Sequence, residues 1–284
     1  MRFLVLGASG MAGHTISLYL QEQGHEVTGY DRRAARHCKF IVGDAKNTNE
    51  IGKLIREGKF DSVINCIGIL NQSAEDSKEL AVFLNAYLPH FLAAITSGTS
   101  TQVIHMSTDC VFSGRRGGYT ETDPRDGETF YDRSKALGEL EDDKNITLRN
   151  SIVGPDTNPA GIGLLNWFMG QSGTINGFAK AMWTGLTTLE LAKAMEAAAK
   201  EKAHGLYNMV YEEAISKYDL LKLFNHYLRE DALQILPSNT MVVDKSLKRT
   251  RFEFAYLIPD YETMVAQMAV WIKSHKELYP HYFL

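Results

Sequence analysis

Apolar positions along the first half of the chain follow two alternating rhythms. Short apolar runs bounded by turn formers predict buried strands at 2–6, 25–30, 40–42, 62–66, 102–106 and 146–150. Between them, apolar residues spaced three and four apart predict helices at 11–23, 49–56, 80–96 and 131–142. Gly24 stands just past the first of these, where a left-handed residue closes a last helical turn. Strands that alternate with helices need right-handed crossovers, which give a parallel sheet covered on both faces.

After Gly154-Pro155 the texture changes. Residues 155–180 mix Gly, Asn and Pro with scattered aromatics, 186–200 is again helical, and 205–210 has strand character. The remainder reads as helical segments joined by short turns. The expectation is an α/β, Rossmann-type doubly wound parallel sheet with a smaller C-terminal substrate-binding lobe. Residues 1–154 would form the dinucleotide-binding domain, completed by parts of 181–210. Most of 155–284 would form the lobe, seated over the carboxyl ends of the strands.

Composition narrows the function classes. The chain has 284 residues, 44% hydrophobic, enough for a large core. Its net charge of −4, without blocks of like charge, favours neither nucleic acid nor an anionic membrane as partner. No apolar run reads as a membrane span. Met1 leads at once into "RFLVLGASG", a strand entering a Gly-rich turn rather than a signal peptide. Cys38, Cys66 and Cys110 are isolated and suggest neither a metal site nor a disulfide framework. A cytoplasmic protein with reduced thiols is expected.

"GASGMAG" places Gly7, Gly10 and Gly13 between a strand and a helix. Glycines there let the backbone turn and approach a pyrophosphate, which the helix N-terminus attracts. Gly7, Ser9, Gly10, Met11 and Gly13 are therefore expected against a dinucleotide. Asp31, at the end of the second strand, would accept hydrogen bonds from the adenosine ribose. Arg32 and Arg33 follow and could pair with a 2′-phosphate, so NADPH and NADH both stay open. Asp44 could bond the adenine edge, and Cys66 and Gly68 of "NCIGI" should pass beside the cofactor. His14, in the first turn of the helix, faces either the pyrophosphate or solvent.

A second constellation follows. "STDCVFSG" (107–114) leaves a strand, and Tyr131 and Lys135 in "YDRSKALGE" sit four apart, on one helix face. An ammonium beside a phenol favours the phenolate and is expected to lower the Tyr131 pKa. The Thr108 hydroxyl, at a strand end, could hold a substrate oxygen.

With these motifs in order, the chain resembles the extended short-chain dehydrogenase/reductases, and within them the dTDP-4-dehydrorhamnose reductases and related sugar-nucleotide reductases. Ser-Thr-Asp-x-Val-Phe-x-Gly matches 107–114 and Tyr-x-x-(Ser/Thr)-Lys-x-x-Gly-Glu matches 131–139. "TLRNSIVGP" and "TGLTTLELAKAM" resemble later segments, and the last 80 residues match only in texture. The resemblance implies that Thr108 orients substrate, Tyr131 is the acid/base, and Lys135 binds the nicotinamide ribose. It implies reduction of the C4 keto group of a nucleotide-linked deoxysugar, in cell-surface polysaccharide or deoxysugar biosynthesis, and a possible homodimer. Asp109, Cys110, Asn150 and Trp183 are candidate substrate contacts, with Arg149 beside them in the cleft.

One position departs from the family. The reductases usually carry Tyr where this chain has Cys110, and the related 4,6-dehydratases carry Glu. GDP-fucose synthases place an acid/base Cys two residues after the catalytic hydroxyl, the relation of Cys110 to Thr108. An epimerase or epimerase/reductase using Cys110 is therefore an alternative, with inert pocket lining as the plainer role. A non-catalytic dinucleotide-binding regulator is a third reading, disfavoured by the intact Thr108, Tyr131 and Lys135.

Overall fold

The computed structural model describes residues 1–35 and 37–282. In chain order its strands are β1 (Arg2–Leu6), β2 (Glu26–Asp31), β3 (Lys39–Val42), β4 (Ser62–Asn65), β5 (Gln102–Met106), β6 (Ile146–Arg149), β7 (Ser151–Val153), β8 (Thr174–Trp183), β9 (Gly185–Thr187), β10 (Gly205–Asn208), β11 (Ile215–Ser216) and β12 (Gln234–Asp244). The α-helices are α1 (Met11–Glu22), α2 (Thr48–Gly58), α3 (Asn71–Asp76), α4 (Lys78–Ala81), α5 (Leu88–Thr96), α6 (Phe130–Leu137), α7 (Leu164–Met169), α8 (Thr188–Glu201), α9 (Lys217–Arg229) and α10 (Tyr261–Ser274).

Seven parallel strands in the order β10-β6-β5-β4-β1-β2-β3 form the main sheet. Alternation along each strand divides the core. Phe3 and Val5 of β1 join Ile16 and Leu20 of α1 and Met195 of α8 on one face. Leu4 and Leu6 join Ile51 and Ile55 of α2 and Leu88 and Leu92 of α5 on the other. The chain runs from β1 outward to β3, then returns to β4 on the opposite side. The carboxyl ends of β1 and β4 therefore border the crevice where open α/β sheets bind ligands.

Three expectations need correction. The predicted helix 131–142 stops at Leu137, where Gly138 packs directly on π-helical backbone: a Cβ there would lie 1.9 Å from the Asn85 carbonyl oxygen. The predicted helix 80–96 is built from α4, a π-helical turn over Val82–Tyr87 and α5. Together Lys78–Thr96 make one helix that is long and apolar enough, by length and composition, to cross a membrane, although Leu88 and Leu92 pack it onto the sheet.

The largest departure is in the second half. β8 pairs with β12 in parallel and with β11 antiparallel, a three-stranded sheet where the sequence pattern predicts no strand and, over the region of β11 and β12, helical segments and short turns. α9 lies close against β8: a Cβ on Gly177 would fall 2.8 Å from the Tyr218 Cα. β10 and α8 return to the main body, β10 beside β6 and α8 in the core cluster of α1.

Candidate active site

β1 turns at Gly7, whose φ of +81° favours glycine. Its N–H donates to the Tyr30 carbonyl at 2.9 Å, and Gly10 N–H donates back to the Gly7 carbonyl at 3.1 Å. Gly10 is the N-cap of α1 and brings no capping side chain, so the first-turn N–H groups face the crevice without that acceptor. A Cβ on Gly10 would meet only the Gly7 oxygen, at 3.4 Å, whereas one on Gly13 would lie 2.0 Å from it. Gly10 thus borders open space, and Gly13 lets α1 close down on the turn. Met11 directs its sulfur toward Gly163.

The crevice encloses about 330 Å³ and is lined by Ser9, Asp31, Arg32, Asp44, Cys66 and Gly68, among others. Asp31 is already engaged: one oxygen accepts from Ser9 N–H at 3.1 Å and Ser9 Oγ at 2.7 Å, the other from Arg32 N–H at 2.6 Å. Asp44 accepts from Lys46 N–H at 2.9 Å, shaping the turn after β3. Arg32 and Arg33 are exposed at the rim, and neither side chain has an ion pair among the described residues. This donor set fits a dinucleotide: glycine turn and helix N-terminus for a pyrophosphate, a rim carboxylate and guanidiniums for a ribose and its substituent.

β5 delivers the second half of the site. Beyond Met106, Thr108 caps a 3₁₀ turn over Asp109–Val111, accepting from Cys110 N–H at 3.1 Å and donating to Asp109 Oδ1 at 3.1 Å. Opposite, α6 opens with a reciprocal cap: Asp132 N–H donates to Thr129 Oγ1 and Thr129 N–H to Asp132 Oδ2, each at 3.1 Å. One and two turns of this helix then present Tyr131 and Lys135. The Tyr131 phenol faces the Thr108 hydroxyl closely enough to be influenced by it. Lys135 Nζ donates to the Met106 carbonyl at 2.7 Å, fastening α6 to the strand end.

Electrostatics at this pair depart from expectation. Burial pushes the Tyr131 phenol up, and the neighbouring Cys110 and Asp109 push it further, while the Thr108 hydroxyl opposes them. Burial lowers the Lys135 ammonium to about 8 and raises the Cys110 thiol to about 12. In the protein alone, burial dominates both groups, and Lys135 is not among the groups acting on the phenol.

Arg149, read as facing the cleft, and Trp183, a predicted substrate contact, are both packed into the interior. Arg149 is fully buried, donating to Glu139 at 2.8 and 2.7 Å and lying over the Phe112 ring. It holds the core together beneath the 107–114 loop. Trp183 is buried against Tyr261, and Gly185 is glycine partly because a Cβ would lie 2.3 Å from the indole. Asn150 is buried with neither amide atom bonded. His14 faces neither solvent nor the crevice: it bonds the Gly10 carbonyl at 3.0 Å and Tyr279 at 2.8 Å, and burial lowers its pKa to about 4.

Sequence reasoning assigned no role to Glu139 or Asn85. Glu139 accepts from Ser107 Oγ at 2.6 Å as well as from Arg149 and Arg125, tying the start of the 107–114 loop to β6 and to the segment that follows α6. Its signal was the Gly-Glu closing the Tyr-Lys motif. Asn85, in the π turn, accepts from Ile69 N–H at 2.9 Å and donates to the Ile69 carbonyl and Ser134 Oγ, both at 3.0 Å. It pins the "NCIGI" loop to α6, and no spacing announced it. π turns often mark such sites.

Comparison with known proteins places this geometry in a family. A family model described as RmlD substrate binding domain matches residues 1–257. A probable low-salt glycan biosynthesis reductase, Agl14, of Haloferax volcanii is 34% identical over 143 residues, 49% of this chain and 48% of the relative. The dTDP-4-dehydrorhamnose reductase of Salmonella typhimurium is 29% identical over 159 residues, 54% of this chain and 52% of the relative. The chain thus spans about half the length of these curated relatives in alignment. Among solved structures, a dTDP-4-dehydrorhamnose reductase of Clostridium acetobutylicum superposes with a TM-score of 0.79 at 21% identity, covering 96% of this chain and all 100% of that one. One from Bacillus anthracis, in complex with NADP, superposes with a TM-score of 0.80 at 18% identity, covering 95% and 99%. These structural likenesses establish the shared α/β fold. With the glycine turn, the Thr108–Tyr131–Lys135 cluster and a family match reaching across both sheets, the chain belongs to the RmlD substrate binding domain family.

Proposed function

We propose that this protein is an NADPH-dependent reductase of the 4-keto group of a nucleotide-linked deoxysugar. The observation that carries this reading is the convergence of Thr108, Tyr131 and Lys135, all buried, at the end of β5 beside the glycine-lined crevice. The dinucleotide would lie with its pyrophosphate on the Gly7–Gly10 turn and its adenosine between Asp31 and Asp44, and when bound it supplies the hydride. Residues 1–154, completed by β10 and α8, would hold it, and most of 155–284 would hold the sugar.

Within this division the chain's own groups handle the proton. Thr108 and Tyr131 offer two hydroxyls to one substrate oxygen. Because burial keeps the phenol protonated, Tyr131 is suited to donate to an oxygen that gains negative charge. Lys135, anchored on Met106, places a cation near the phenolate that remains. Uncompensated Arg32 and Arg33 at the rim support NADPH over NADH.

Cys110 gives the alternative, an epimerase/reductase, little support. Its thiol is raised to about 12 and packs with Ala74, Ala81 and Tyr131, an environment for an apolar side chain rather than a proton carrier. Mixing the protein with NADPH and dTDP-4-dehydrorhamnose tests the proposal. Loss of reduced-nicotinamide absorbance that depends on both substrates is the expected result. Its absence across a panel of 4-keto nucleotide sugars would reject the reading.

A further inference from the structure

Two lysines that follow directly on strands of the three-stranded sheet, Lys217 after β11 and Lys245 after β12, act on the 107–114 loop without a counter-charge of their own. Ser216 of β11 and Asp244 of β12 both register with Met182 of β8. The next residues, Lys217 and Lys245, therefore leave the sheet on opposite sides of β8. Backbone bonds fix this edge to the catalytic loop: Asp244 N–H donates to the Gly114 carbonyl at 3.0 Å, and Tyr119 N–H to the Ser246 carbonyl at 3.0 Å. The Lys245 stem lies across Gly114, 2.7 Å from where a Cβ would begin.

Both ammoniums act electrostatically on Asp109, Lys245 the more strongly. Neither has an ion pair among the described residues. Asp109 is nearly buried and bonded to Thr108, and one carboxylate cannot balance two cations. A doubly charged anion can. On the reading proposed above, the keto oxygen at C4 sits on Thr108 and Tyr131. C1 of a pyranose lies across the ring from C4, so the group attached there projects one ring-width away from these hydroxyls.

Resting on that reading, we infer that Lys217 and Lys245 form the subsite for the diphosphate of the substrate, gripping it from the two sides of β8. Asp109 lies between this subsite and Thr108, where it can bond a ring hydroxyl.

The test is calorimetric titration of NADP⁺-saturated protein with inorganic pyrophosphate and with dTDP, saturation keeping both probes out of the cofactor crevice. Lys217→Met or Lys245→Met should weaken either probe about tenfold, the scale of one charge-assisted hydrogen bond, and the double substitution about 100-fold. Met keeps the stem over Gly114, and NADP⁺ affinity should not change. K217R/K245R retains the charges and should keep most of the affinity, which a packing role alone would not predict. Unchanged probe affinity in K217M/K245M, or no pyrophosphate binding by the unmutated protein, would overturn the inference. Lysine-dependent pyrophosphate binding in a protein that turns over no 4-keto sugar would uphold the subsite and reject the reductase reading instead.

Discussion

At the scale of single residues, the site depends on groups held away from water. Tyr131→Phe removes the proposed proton donor and should lower turnover by about 10²–10⁴-fold, the usual reach of general acid catalysis. Thr108→Val should cost less, since it removes one hydrogen bond and the orientation it gives, while Cys110→Ser should stay within a few-fold of normal; steady-state rates check all three. Lys135 makes a prediction about stability. Its folded pKa of about 8 lies below the ~10.4 of an unfolded lysine. The unfolded chain therefore binds the extra proton between these values, and stability rises with pH across that window. Lys135→Met removes a penalty that is complete below pH ~8. It should melt higher than the unmutated protein at pH 7, by about 1–3 kcal/mol, with the gain shrinking toward pH ~10 while activity is lost. Melting curves at several pH values measure this. That Thr108 would leave β5 and that Tyr131 and Lys135 would share α6 was legible in the sequence, because motif order and spacing encode it. The direction of the Tyr131 shift was not, because burial is a property of the assembled site.

At the scale of elements, the strand ends are positioned by one buried ion cluster. Glu139 joins Ser107 of the catalytic loop to Arg149 of β6, and Arg149 reaches Asn208 of β10. Arg149→Met would leave the Glu139 carboxylate with less than its full set of buried partners. It should destabilise by about 3–5 kcal/mol in denaturant titrations, the cost of breaking a buried pair. The double variant E139Q/R149M, which removes both charges, should lose less than the two single losses combined. Glu139 is held below its ordinary pKa by Arg149, Ser107 and Arg125 against the cost of burial. This support is complete above the unfolded value of ~4.3 and fails as pH falls through the folded one. Sequence periodicity found α6 but ran it to 142, because the close packing of Gly138 on Asn85 is a tertiary contact. Arg149, at a strand end, was read as facing the cleft; its partner Glu139 comes from that same overextended helix.

At the scale of the whole molecule, the main sheet was readable because each parallel strand is a short apolar run between helices. The smaller sheet was not. β8 does alternate, with Ile175, Gly177 and Ala181 turned inward, but glycine and asparagine mask the pattern. β12 carries Pro237 and is largely exposed, so no buried face marks it as a strand. The lysines that flank the catalytic loop depend on this sheet and were missed with it. Cofactor choice also belongs to this scale, being set at the crevice rim far from Tyr131. Replacing Arg32 and Arg33 together by Ala should weaken NADPH at least tenfold more than NADH, about one ion-paired hydrogen bond. Equal losses in fluorescence titrations would leave Asp31 as the deciding group.

The central claim is hydride delivery to C4 with proton delivery by Tyr131. Its most direct test uses NADPH deuterated at the transferring position, dTDP-4-dehydrorhamnose and mass spectrometry of the sugar product. One deuterium is expected at C4 and, in a parallel reaction with unlabelled NADPH in heavy water, none fixed at C3 or C5. Absence of label at C4, or Cys110-dependent solvent deuterium at C3 or C5, would contradict it.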